Sequence, residues 1–310
     1  MQLRQHSLSD TDLQLSTFCC GLGDLFALPS AESDALLDAF VEAGGNFFDS
    51  AHVYSFWLPG GNGLSEIGIG DYLRRRGLTD QVTVATKGGH PSAAGYRTVE
   101  SYLSPDRIGA DIQDSLGRLQ TEGIALYYLH RDDPRVPIDE IVDVLNIEIN
   151  CGRIRHLGAS NWSTERIEQA NEYARANELK GFVISQPRWS LATAQGGPAD
   201  LVNADEQLNW YRENNFALAS YSPTAHGFFD GNTTDAYQTP ENLARRERAE
   251  QLARKTNATP GQIALAYLIG HPFPVFPIVG TSKVGRMREA LEADTLALTA
   301  DEQKWLAGGE

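Results

Sequence analysis

Short apolar runs alternate with helix-like stretches along the whole chain, and this alternation restricts the fold more than any other feature of the sequence. The strand-like runs are Leu15–Cys20, Asn46–Asp49, Val82–Thr86, Ile124–Leu129, Ile154–Ala159, Phe182–Ser185, Phe216–Ser220 and Val275–Val279. They read as continuously apolar rather than alternating, the pattern of strands covered on both faces in a parallel sheet wrapped by helices. Between them lie Ser33–Glu42, with Ser33-Asp34 as its expected cap, and Ser65–Arg76, with Gly77 as its terminator. Ser104-Pro105-Asp106 opens a helix whose Ile108, Ile112, Leu116 and Leu119 share one face. Ile138, Ile141, Val142, Leu145 and Ile149 mark another, and further helices are expected after Ser163-Thr164-Glu165, over Glu241–Lys255 and over Gln262–Ile269. About eight strand–helix units in 310 residues fit a closed α/β barrel better than an open sheet, and no linker-like break divides residues 1–310.

A barrel of this kind gathers the C-terminal ends of its strands on one rim. Asp49, Lys87, His130, Asn161, Gln186 and Tyr221 each stand at or just past the end of a different apolar run. Taken singly, Asp49 reads as a cap or turn residue and His130 as a satisfied, half-buried histidine. Taken as a set at successive strand ends, they read as chemistry converging on one mouth. Tyr54, five residues beyond Asp49, completes the set. A phenol has a reference pKa near ~10, so it handles protons near neutrality only with help. Lys87 is the expected helper, lowering the Tyr54 pKa, and Asp49 the partner that holds Lys87. His130 would hydrogen-bond the same substrate oxygen and orient it.

The motifs Phe48-Asp49-Ser50-Ala51-x-x-Tyr54, Ala85-Thr86-Lys87, Leu129-His130-Arg131, Gly158-Ala159-Ser160-Asn161, Ser185-Gln186 and Tyr221-Ser222-Pro223-x-Ala225-x-Gly227 follow one another in an order that resembles the aldo-keto reductase superfamily. The resemblance covers nearly the whole chain. It implies a single (β/α)8 TIM barrel that passes hydride between a nicotinamide cofactor and a carbonyl without a metal. Its catalytic tetrad corresponds to Asp49, Tyr54, Lys87 and His130. It also implies that Ser160, Asn161 and Gln186 hold the nicotinamide carboxamide, that Tyr221 stacks on the ring, and that Ser222, Thr224 and Gly227 cradle the pyrophosphate. Gly280, Ser282, Lys283, Arg286 and Glu289 resemble the adenosine end, where Lys283 and Arg286 could receive a 2′-phosphate and so favour NADP(H), with NAD(H) possible. Two departures stand out: Ala290 follows Glu289 where relatives often carry an asparagine that reads adenine, and Thr224 stands where many have leucine.

The remaining features narrow the function. A net charge of −15 makes nucleic acid and anionic membranes poor partners. Three cysteines, Cys19 and Cys20 adjacent, make no disulfide framework, and the expected location is cytoplasmic. Gly21-x-Gly23 and Gly68-x-Gly70 fail as Rossmann fingerprints because Phe26 and Leu73 stand where a third glycine is needed. The seven histidines show no paired metal spacing. Phe56, Trp57, Trp162 and Trp189, with Arg131, are candidate substrate-pocket residues near strand exits. Leu58–Gly63 is a glycine-rich excursion that reads equally as a flap or a plain loop, and the stretch from Ala192 to Ala204 reads as a second rim loop. The expectation is reduction of an aldehyde, ketone or sugar carbonyl. The alternatives are a sugar or alcohol dehydrogenase running in reverse and an NADPH-binding regulatory subunit. Monomer and homo-oligomer stay open.

Overall fold

The computed structural model describes residues 1–91, 102–195 and 205–308. Eight parallel strands close on themselves: β3 (Cys19–Gly21), β4 (Phe47–Asp49), β5 (Thr83–Gly88), β6 (Ile124–Leu129), β7 (Ile154–Ser160), β8 (Phe182–Gln186), β9 (Ala217–Ser220) and β10 (Val275–Val279). Every residue of β4, β9 and β10 is buried, because one face looks into the barrel and the other is roofed by helices. Around them run α1 (Ser30–Glu42), α2 (Leu64–Arg76), α3 (Pro105–Leu119), α4 (Ile138–Asn150), α5 (Thr164–Ala176), α6 (Asp205–Asn214), α7 (Pro240–Thr256), α8 (Pro260–Ile269), α9 (Val284–Leu291) and α10 (Ala300–Ala307). This is the TIM-barrel architecture expected from the sequence. None of the helices among the described residues is long and apolar enough to cross a membrane.

The first apolar run does not form one strand. Its front half pairs backwards, as β2 (Gln14–Ser16) against β1 (Gln5–Ser7), and only its end enters the barrel as β3. Asn46 enforces the break. Its Oδ1 accepts from the Ser16 amide at 2.7 Å, its own amide donates to Ser16 Oγ at 3.1 Å, and Ser16 Oγ donates onward to the Phe18 carbonyl at 2.8 Å. The hairpin thereby lays Leu8, Leu13 and Leu15 against the barrel interior, where Phe47, Leu126, Tyr128 and Phe276 meet. It plugs the base of the barrel and leaves the opposite end open.

Some helix ends follow the expected chemistry and others do not. Gly77 terminates α2 in the left-handed conformation (φ 67°), and Thr259 and Gln262 form a capping box on α8. The expected Ser33-Asp34 cap is displaced: α1 begins three residues earlier, after Pro29, Ser33 lies inside it, and Asp34 instead accepts from Arg75 at 2.6 and 2.9 Å. Helices α6 and α10 escaped the sequence reading because their apolar residues are few.

Outside the barrel, His271 is boxed by the rings of Trp189, Tyr267 and Phe273, with centroids 4.9, 5.0 and 5.5 Å away. Neither ring nitrogen has a hydrogen-bond partner among the described residues. Burial, helped by the charge of Arg212, pushes its pKa down to about 4. The unfolded chain therefore binds this proton more readily than the folded one. Above the unfolded value near ~6.5 the effect is absent, and it grows as pH falls to about 4. We expect acid to destabilise the protein by roughly 2–3 kcal/mol through this residue alone. Urea denaturation between these pH values should show a clearly shallower loss for His271→Phe than for the native chain.

Candidate active site

The end of β4 delivers Asp49 to the open end of the barrel, where it is 2% exposed. The chain then keeps to β5: the Ser50 amide donates to the Ala85 carbonyl and the His52 amide to the Lys87 carbonyl, both at 2.8 Å. A turn closed by the Tyr54 amide on the Ala51 carbonyl (3.1 Å) swings the Tyr54 phenol back over Lys87. Lys87 is wholly buried. Its ammonium has three N–H bonds to give, and three acceptors surround it: Asp49 Oδ2 at 2.8 Å, the Ser50 carbonyl at 2.7 Å and Tyr54 Oη at 2.9 Å. Because the phenol oxygen accepts from Lys87, its own proton is left for another acceptor. The nearest, Asp49 Oδ2, is 3.3 Å away.

The electrostatics depart from one expectation. The sequence suggested that Lys87 pulls the Tyr54 pKa down. Instead burial first, then the Asp49 carboxylate, holds it well above the usual phenol value. Burial also lowers Lys87, against the opposing pull of Asp49. The phenol is thus kept loaded with its proton, and Lys87 is placed to stabilise the phenolate once that proton leaves.

His130 follows β6, its ring edge-on to Tyr54 with centroids 5.9 Å apart. Burial and the nearby cations Lys87 and Arg131, with His90, keep it neutral. Its Nδ1 is buried with no partner among the described residues. An orphaned N–H is costlier than an orphaned lone pair, so the proton belongs on Nε2, where it can be donated.

A girdle of hydrogen bonds joins these groups to the other strand ends. Gln186 Nε2 donates to Asp49 Oδ1 at 2.8 Å, and Ser160 Oγ donates to the Gln186 carbonyl at 2.9 Å. Asn161, in the left-handed conformation (φ 58°), donates to Ser160 Oγ at 2.9 Å and the His130 carbonyl at 3.1 Å, and accepts from Tyr221 Oη at 2.8 Å. Asp49, Tyr54, Tyr221, Ser222 and Thr224 face a cavity of about 280 Å³ at the mouth. Through Thr224, His226, Val279 and Gly280 it continues into a groove of about 530 Å³ that Gly227, Ser282, Arg286 and Glu289 also line. Where the two join, Ser222, Ala225, His226 and Gly227 all have positive φ (53°, 51°, 55° and 79°). The Ala225 and Gly227 amides close turns on the Ser222 and Thr224 carbonyls at 2.9 and 3.0 Å, which curls this stretch around the junction and leaves Ser222 and Thr224 lining the cavity. The trench thus runs from Tyr54 to Arg286 and has room for an extended ligand.

The sequence model of the Aldo/keto reductase family matches residues 18–307. The chain belongs to that family. Among its relatives are the aldo-keto reductase yakc [NADP(+)] of Schizosaccharomyces pombe, 28% identical over 91% of this chain and 83% of the relative. The probable aldo-keto reductase 1 of Glycine max is 30% identical over 91% of this chain and 80% of its own. The norsolorinic acid reductase of Aspergillus flavus is 28% identical over 95% and 77%.

Within this aldo/keto reductase, three of the expected site residues stand elsewhere. Trp162 is not at the mouth. It is buried in the outer layer, its ring 5.2 Å from Phe182 and under the Arg166 guanidinium. Trp189 belongs to the aromatic box around His271. Lys283 is exposed at the start of α9 and does not line the groove, whereas Arg286, Glu289, Gly280 and Ser282 do. Trp57 is 54% exposed on the rim, its indole donating to Asp24 Oδ2 at 3.1 Å. Arg131 is half-buried near His130 and His90, with no ion-pair partner among the described residues. Leu58–Gly63 forms consecutive turns. Of the stretch from Ala192 to Ala204, positions 196–204 lie outside the described residues.

The sequence reading missed the group that anchors the Tyr54 loop. Glu66, in the first turn of α2, is fully buried; it accepts from Thr86 Oγ1 at 2.6 Å and from Arg118 Nη1 at 3.1 Å. The same guanidinium reaches the His52 carbonyl at 3.1 Å and Asn62 Oδ1 at 3.3 Å, so it ties both ends of the excursion to β5. Gly63 (φ 75°) packs so close to Arg118 that a Cβ there would meet Nε at 2.6 Å. No local signal marks Arg118, which sits among apolar residues at the end of α3. Arg118→Met should strand a buried carboxylate and cost about 3 kcal/mol of stability. Urea denaturation should also show that adding Glu66→Gln to it recovers part of the loss.

Proposed function

We propose that this aldo/keto reductase reduces an aldehyde, ketone or sugar carbonyl to the alcohol, using NADPH and the Tyr54 proton. The observation that carries the reading is the saturated Lys87 ammonium: all three of its N–H bonds are engaged, one of them on Tyr54 Oη, so the mobile proton is that of the phenol, whose own bond to Asp49 Oδ2 is long at 3.3 Å. A dihydronicotinamide held in the trench would supply the hydride. Ser160, Asn161, Gln186 and Tyr221 surround the place where its ring would lie, Ser222, Thr224 and Gly227 the pyrophosphate, and Gly280, Ser282, Arg286 and Glu289 the adenosine, with Lys283 nearby.

The chain's own groups then divide the work. Tyr54 Oη–H and His130 Nε2–H both donate to the carbonyl oxygen, polarising it. As charge develops there, the phenol gives up its proton. The resulting phenolate is stabilised by Lys87, whose position Asp49 and the Ser50 carbonyl fix. Gln186, donating to Asp49 Oδ1, holds the carboxylate so that Oδ2 remains for Lys87.

Mixing the purified protein with NADPH, and separately NADH, and following absorbance over a carbonyl panel tests the reading. Tyr54→Phe should lower turnover by roughly 10²–10⁴-fold while NADPH still binds nearly as tightly. Wild-type turnover in that variant would remove the assignment. Arg286 is the groove cation suited to a 2′-phosphate. Arg286→Met should weaken NADPH binding about tenfold or more and NADH binding little, measured by fluorescence titration.

A further inference from the structure

His90 lies three residues past Lys87, beyond the end of β5, and none of the proposed steps uses it. Its half-buried ring meets the His130 ring edge to face, with centroids 4.7 Å apart and planes at 68°. Tyr54 also meets His130 edge to face, so the His130 ring is in contact with both His90 and Tyr54. The His90 Nδ1 is 2.6 Å from the Pro91 carbonyl oxygen. A carbonyl oxygen can only accept, so Nδ1 carries a proton. Burial, joined by the charge of Arg131, lowers the His90 pKa against the pull of that carbonyl and favours the neutral ring. In a neutral ring with Nδ1 protonated, Nε2 is a lone pair and an acceptor. It has no hydrogen-bond partner among the described residues.

The two histidines are therefore complementary. His130 turns a donor to the mouth, and His90 beside it has an acceptor to offer. A carbonyl oxygen that accepts from Tyr54 and His130 satisfies the donors and leaves the acceptor unanswered. Ring centres this close suit oxygens on neighbouring carbons, the first a carbonyl and the second a hydroxyl.

We propose that His90 is a specificity residue that accepts a hydrogen bond from a hydroxyl on the carbon next to the reacting carbonyl, so that the substrates are α-hydroxy aldehydes or ketones, open-chain sugars among them. This rests on the carbonyl-reductase reading above. A substrate without the hydroxyl would cover Nε2 and strip its water without replacing the bond, which weakens its transition state about tenfold or more.

The test compares kcat/KM for matched pairs, glycolaldehyde against acetaldehyde and hydroxyacetone against acetone, each corrected for its free carbonyl fraction. The native protein should favour the hydroxylated member by about tenfold or more. His90→Phe keeps a ring against His130 but has no lone pair, and should bring the ratio toward one. His90→Gln supplies an amide oxygen and should restore part of the preference. Thermal melting and NADPH titration establish that each variant is folded and loaded. A native ratio near one, or an unchanged ratio in folded His90→Phe, overturns the proposal and leaves the reductase reading intact. Absence of turnover of any carbonyl with either nicotinamide overturns both.

Discussion

The Lys87 ammonium is held where water does not reach it, and a buried charge is tolerated only if its partners replace the hydration it has lost. Asp49, the Ser50 carbonyl and Tyr54 supply those partners, one for each N–H bond. Each comes from a different constraint. Asp49 is fixed by the end of β4 and by Gln186 across the barrel, Ser50 by the ladder to β5, and Tyr54 by the turn that follows. The same interactions that make a buried lysine bearable hold the phenol in place, so stability and chemistry draw on one set of bonds. Behind this centre, Glu66 and Arg118 form a second buried pair whose spare donors fix the segment carrying Tyr54.

Much of this was legible in the sequence because parallel strands leave a simple mark. Ile124–Leu129 and Val275–Val279 have the bounds read from their apolar runs, and most other strands differ by one or two residues. The polar residues at the run ends meet at one mouth because barrel closure brings all strand ends together. What was not legible depends on contacts distant in sequence. Asn46 divides the first apolar run, which no local pattern in Leu15–Cys20 reveals. Trp162 and Trp189 follow strand exits, yet a large ring beside a helix gains more by burial in the outer layer than by lining a wet mouth. The direction of the Tyr54 shift was misjudged because proximity to Lys87 is apparent from motif order, whereas the depth of burial is not.

The acidity of the chain bears on the trench as well. With a net charge of −15, the protein offers little general attraction to an anion. Asp230 and Glu289 add acids to the groove itself, beside Arg286. On the proposed reading, phosphate binding then relies on polar groups of the left-handed stretch after β9, Ser222 and Thr224 among them, and on a few well-placed cations. Such contacts discriminate by shape more than by long-range field.

The closure of the barrel also has a bearing on how the protein is made. Strand β3, from the beginning of the chain, is flanked on one side by β4 and on the other by β10, so that Cys19 pairs with Ile278. During synthesis β3 emerges well before β10, the neighbour on its other side, and waits for it. Until then β3 has an open edge, the kind of surface to which other chains can add. The β1–β2 hairpin can cover the apolar base during that interval, because both of its strands and their connecting turn precede the barrel. A nascent chain of this protein therefore has a long, defined window in which it depends on shielding, and that window ends only when β10 docks.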